Sequence, residues 1–176
     1  TQTGKKREML IGDWHPTWLR DLPEMAHLRA PGNTCLSACE SLFRGEKAQN
    51  NSKGCGGIMR VAPMALLDAG YASRNENTYS LEELAEAGGE IAECTHKHPL
   101  GFLPASLLTV LLYKIVPMTA KQVQDEIDSI VADTVNVLDR IYKGKYDADK
   151  RYLKELTEKA VRLAHSDISD ADAIRQ

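Results

Sequence analysis

No apolar run in this sequence reaches the ~20 residues that a membrane span requires. The longest, Leu103 to Val116, is interrupted by Pro104, Ser106, Thr109 and Lys114, so no membrane partner is expected. The start carries no signal-peptide pattern either. Neither sign of charge is in excess: 22 basic residues face 25 acidic ones, and the net charge of −3 gives no general attraction to nucleic acid. The four cysteines, Cys35, Cys39, Cys55 and Cys94, form no C-x-x-C pair of the kind a zinc ribbon or redox site uses. Cys35 and Cys39 lie one helical turn apart and are expected in the core as small apolar residues. So few cysteines, without a framework, point to a reducing cytoplasm. Sustained strand alternation is missing too.

What is present is helical periodicity. A chain of 176 residues suffices for one domain with a real core and is too short to expect two. From Asn33 onward the pattern predicts six or so helices joined by short loops. Asn33 or Thr34 is placed to cap the first, whose apolar face is Leu36, Cys39, Leu42 and Phe43. Ser80 with Glu83, and Thr119 with Gln122, form capping boxes, in which each cap side chain and the residue three places on satisfy one another's amides. Pro99 opens a helix apolar almost all round, the mark of a bundle centre. Val123 to Ile141 keeps three-and-four spacing, with Ile127, Val131, Thr134 and Leu138 expected inside. Lys143-Gly144 ends that helix, and Asp147 caps another with Leu153, Leu156, Ala160 and Leu163 on one face. The expectation is one all-α domain over residues 1–176. Its first 30 residues, with Trp14, Pro16, Trp18 and Pro23, form either a strap or lid, or a surface segment anchored by two tryptophans. Both ends look cut: Thr1 to Arg7 holds no hydrophobic first element, and Ser169 to Gln176 reads as a helix start with nothing after it.

Three stretches carry polar chemistry. Asn50-Asn51-Ser52-Lys53-Gly54-Cys55-Gly56-Gly57-Ile58-Met59-Arg60 places three glycines in four positions just before a helix. Such glycines let backbone amides converge on an anion, and Ser52 and Lys53 add a hydroxyl and a positive charge. The same pattern also describes a simple turn, and its spacing is neither the Walker loop nor the dinucleotide fingerprint. Thr95-His96-Lys97-His98-Pro99 sets two histidines at a helix junction. They could ligate a metal if more ligands joined them, donate to a phosphate or ribose oxygen, or simply stand at an exposed corner. Pro31-Gly32-Asn33-Thr34 is by itself a turn and a helix cap.

Taken together, Pro31-Gly32-Asn33-Thr34, the loop Asn51 to Gly57 running into Met59-Arg60-Val61-Ala62-Pro63, and Thr95-His96 with Leu100-Gly101 resemble consecutive motifs of the ADP-ribosylglycohydrolase family. That family includes dinitrogenase-reductase-activating glycohydrolases, ADP-ribosyl-arginine and ADP-ribosyl-serine hydrolases and J-type crystallins. The order and separations agree from about Ala30 to the C-terminus, and the G-G-x-M-R-x-A run is the most specific part. The resemblance implies an all-α orthogonal helical bundle, incomplete at both ends, that binds ADP-ribose or an ADP-ribosylated protein in a cleft. It implies that Ser52, Lys53, Gly54, Cys55 and Gly56 wrap the diphosphate, that His96 reaches the nucleotide, and that Asn33 lines the cleft near the scissile ribose. Where some members have an acidic residue before that Gly-Asn, Ala30 and Pro31 stand here. Family enzymes hold two magnesium ions with a Thr-Asp-Asp motif and an Asp-x-Asp-Thr-type motif, and neither occurs in this chain. Asp167, Asp170 and Asp172 are expected to be caps and not metal ligands. No residue of the chain is therefore assigned a catalytic role, and an apolar surface favouring self-association is expected where further helices would pack. The reaction implied for a complete member is hydrolysis of an N- or O-glycosidic bond between ADP-ribose and an acceptor. A non-catalytic relative that keeps the fold without the metals is the alternative.

Overall fold

A computed structural model describes residues 32–74, 76 and 78–175, together with the isolated Pro23. Contacts divide the chain after Pro31, and the described helices lie in the unit Gly32–Gln176. The expected strap over residues 1–30 lies outside the described residues. Seven α-helices and no strand occur among those described, so the fold is all-α. They are α1 (Asn33–Phe43), α2 (Ala62–Ser73), α3 (Leu81–Glu93), α4 (Pro99–Ile115), α5 (Ala120–Ile141), α6 (Asp147–Ala164) and α7 (Asp170–Ile174), with a 3-10 turn at Ile58–Arg60.

The two capping boxes form as the sequence predicts. Ser80 Oγ accepts the Glu83 amide at 3.2 Å while the Glu83 carboxylate takes the Ser80 amide at 2.9 Å. Thr119 and Gln122 do the same at the start of α5. Helix α4 is the centre of the bundle: α2, α3, α5, α6 and the 3-10 turn all pack on it. Its Phe102, Leu103 and Ala105 join Val61, Ala92 and Leu138 in the main core, and Val110 joins Ala85 and Val137 in a second cluster. Helices α3 and α4 approach unusually closely because Gly88 and Gly89 face Thr109 and Ser106. A Cβ at Gly89 would stand 2.5 Å from Ser106 Oγ and 2.6 Å from the Tyr142 hydroxyl.

Several local expectations need correction. Gly32, not Asn33 or Thr34, occupies the cap of α1, and no side chain caps it. The expected apolar face of that helix is exposed, with Phe43 94% accessible, and only Ala38 is buried. Cys39 is exposed and Cys35 half-buried, so the pair is not core. The buried face of α5 is Ile130, Thr134, Val135, Val137 and Leu138. Ile127 and Val131 are only half-buried. Asp147 is the first residue of α6 and Tyr146 the cap, in the left-handed region at φ 56°. Its ring packs edge-on against Phe102 at 5.4 Å and Tyr142 at 5.8 Å, contacts that offset a conformation costly for a side chain with a Cβ. Gly144, at φ +70°, supplies the left-handed stop that the sequence predicts. Leu156 and Ala160 of α6 are exposed, and that helix buries no residue fully. At the C-terminal end Ser169, and not an aspartate, caps α7.

Candidate functional site

The polar loop between α1 and the 3-10 turn is pinned on three sides. Asn50 is its clamp: Nδ2 donates to the Thr95 carbonyl at 2.8 Å, and Oδ1 accepts the amides of Ser52 at 3.1 Å and Lys97 at 3.2 Å. One amide side chain thus holds the loop against the corner between α3 and α4. Ser52 Oγ accepts the Gly54 amide at 3.3 Å and lies 3.3 Å from Thr34 Oγ1, which ties the loop to the start of α1. Beneath it, Gly101 lets α4 come so near that a Cβ there would stand 2.6 Å from the Ser52 carbonyl oxygen. Gly57 is also closely placed, 3.0 Å in the same sense from both Ala92 Cβ and the Gly101 carbonyl oxygen.

Arg60 fixes the other wall. Its guanidinium donates to the Ile91 carbonyl at 2.9 and 3.3 Å, to the Ala92 carbonyl at 3.3 Å, and to Thr95 Oγ1. The Ile91 and Ala92 carbonyls belong to the last turn of α3, so Arg60 closes the helix and complements its dipole. Thr95 and His96 are presented at that closed end, both buried. His96 Nδ1 lies 2.8 Å from Thr95 Oγ1, and Nε2 has no hydrogen-bond partner among the described residues. Its ring sits under the loop, 3.4 Å from where a Cβ on Gly54 would stand and 3.0 Å from one on Gly56.

Burial, reinforced by the positive charge of Arg60, holds His96 below its ordinary pKa of 6.5. Protonation is therefore harder in the folded chain than in the unfolded one. The stability this group contributes is complete above ~6.5 and is lost as the pH falls from there through the lowered folded value. Urea unfolding at about pH 7.5 and about pH 5.5 should give a lower midpoint at the acid value, and His96→Gln should shrink the difference. An unchanged difference in His96→Gln would place the acid sensitivity elsewhere.

Of the residues expected at the site, Ser52, Gly54, Gly56 and His96 are brought together, and Cys35 Sγ joins them 3.2 Å from where a Cβ on Gly56 would stand. Asn33 opens α1, exposed, beside the Thr34 that meets Ser52. Lys53 and Cys55 are exposed, and Lys53 forms no ion pair among the described residues. The amides of Lys53, Cys55 and Gly56 donate to no described residue, whereas that of Gly54 is turned inward to Ser52. His96 is 2% accessible, so it is part of the fold as well as the site, and no exposed corner. His98 caps α4, its Nδ1 accepting the Leu100 amide at 3.0 Å. That bond leaves the two histidines with separate tasks. The magnesium ions implied by the resemblance find no ligand set here: no group of three or more His, Cys, Asp or Glu side chains able to hold a metal occurs among the described residues. Asn50, Gly101 and the helix-closing role of Arg60 carry no local signal, since the partners that define those roles lie 31 to 49 residues away.

The structure thus sets a glycine loop over a buried histidine at one corner of an all-α bundle. The chain belongs to the ADP-ribosylglycohydrolase family, whose model matches residues 4–176. A comparison with curated proteins finds no match, and neither does one with solved structures. No helix among the described residues is long and apolar enough to cross a membrane.

Proposed function

We propose that this chain binds ADP-ribose, with Ser52 to Gly56 meeting the diphosphate, His96 beneath it and Asn33 at the edge toward the ribose. The binding serves hydrolysis of the glycosidic bond between ADP-ribose and an acceptor. One observation carries the reading: a nearly inaccessible histidine whose Nε2 has no described partner faces a glycine loop with three undonated amides. A ring nitrogen and amides without protein partners at one loop are open to an oxygen-bearing ligand. Backbone N–H groups and Lys53 suit the two negative charges of a diphosphate, and the glycines let its oxygens approach. None of the loop's groups is assigned to the bond-breaking step.

The test is calorimetric titration of the full-length gene product with ADP-ribose and, in parallel, with adenosine. ADP-ribose should bind and adenosine should bind far more weakly. Equal affinity for the two would remove the diphosphate from the loop. Lys53→Ala should weaken ADP-ribose binding more at low salt than at high, because an exposed charge acts through a screened field. A salt-independent loss would assign Lys53 a packing role.

A further inference from the structure

We propose that Thr95 is a positioning residue: held by Arg60, its hydroxyl donates to His96 Nδ1 and so fixes His96 as the tautomer carrying its proton on Nε2. The inference rests on the loop taking the ADP-ribose diphosphate, and it adds how the neighbouring ring is made a donor. The argument is one of proton supply. A guanidinium has only donors, so Arg60 occupies a lone pair of Thr95 Oγ1 and cannot take its proton. That proton has two acceptors within reach, His96 Nδ1 at 2.8 Å and the Ala92 carbonyl at 3.5 Å. The carbonyl already accepts the amides of Thr95 at 3.2 Å and His96 at 3.0 Å, and Arg60 at 3.3 Å. The hydroxyl therefore points to Nδ1.

A neutral imidazole that accepts at one nitrogen carries its hydrogen on the other. Nε2–H is then the atom directed at Gly54 and Gly56, where it presents a donor to an oxygen ligand. The opposite tautomer would present a lone pair to a phosphate oxygen and repel it. Burial and the Arg60 charge disfavour the protonated ring, so the donor at Nε2 is supplied by this relay.

Long-range proton–nitrogen NMR of the histidine ring in the ligand-free protein reads the tautomer directly, before any ligand is added. The expected result is Nε2–H for His96 in the wild-type protein and in Thr95→Ser, with Thr95→Val showing a mixture or the Nδ1–H form. ADP-ribose affinity should fall about tenfold or more in Thr95→Val and return in Thr95→Ser. Nδ1–H in the wild-type protein would overturn the proposal, and that spectrum needs no variant to fold. Tautomer or affinity unchanged in Thr95→Val would overturn it as well. Failure of the wild-type protein to bind ADP-ribose would instead sink the ligand reading, whatever the ring nitrogens show.

Discussion

Gly88→Ala should lower the unfolding free energy of the chain by about 2 kcal/mol, although alanine is the better helix former. A Cβ at this position would overlap the Thr109 hydroxyl, stand 2.8 Å from Thr109 Cβ and come within 3.1 Å of the Ala105 carbonyl oxygen. None of these can withdraw. Thr109 is fully buried and β-branched, and its Oγ1 donates to the Ala105 carbonyl at 2.8 Å, so rotating it away leaves that bond broken. Helices α3 and α4 must part instead, and the second core cluster of Ala85, Val110 and Val137 lies between them and α5. Alanine's helix preference returns about 1 kcal/mol, which overpacking of about 3 kcal/mol outweighs. Urea unfolding followed by far-ultraviolet circular dichroism checks this, with the slope compared between variants. Thr109→Ala should rescue Gly88→Ala only in part, because the Thr109 Cβ remains in the way. Strict additivity of the two would mean that they do not share a contact. A stabilised Gly88→Ala would mean that the helices are not packed as described.

Gly88 also shows where sequence reasoning stops. Capping boxes are legible because both partners sit within four residues, as Ser80 with Glu83 and Thr119 with Gln122 do. The central place of α4 is legible from its apolar residues on every side. The covered side of a helix is a different matter, because it is decided by neighbours far along the chain. Leu36, Leu42 and Phe43 have the spacing of a buried stripe and are exposed, while small Ala38 is the residue α1 buries. Thr95-His96 and the glycine loop are legible as separate signals. Their juxtaposition depends on Asn50, Arg60 and Gly101, which act over long separations through one side-chain amide, one guanidinium and one missing Cβ. Tyr146 is the reverse case: its left-handed cap is unreadable locally because two aromatic rings from α4 and the end of α5 hold it.

Gly56→Val should weaken ADP-ribose binding by about a hundredfold while the bundle remains folded. The Cβ alone would stand 3.0 Å from His96 Cε1, 3.2 Å from Cys35 Sγ and 3.3 Å from His96 Nε2, and valine adds two methyl groups beyond it. The ring cannot retreat, since Thr95 holds its far nitrogen and Arg60 holds Thr95. The loop must lift, and with it go the amides of Lys53, Cys55 and Gly56. Losing about two charge-assisted hydrogen bonds, at about 1.5–3 kcal/mol each, gives a hundredfold as the lower end. Gly56→Ala should give a smaller loss, because its single methyl needs only a few tenths of an ångström. Gly70 is the control: it lies in α2, and a Cβ there would meet nothing within 4 Å, so Gly70→Ala should leave binding untouched. Calorimetry reads the affinities, and circular dichroism of each variant checks the helices. If Gly56→Val binds ADP-ribose as well as the wild-type protein, the loop is a turn and nothing more.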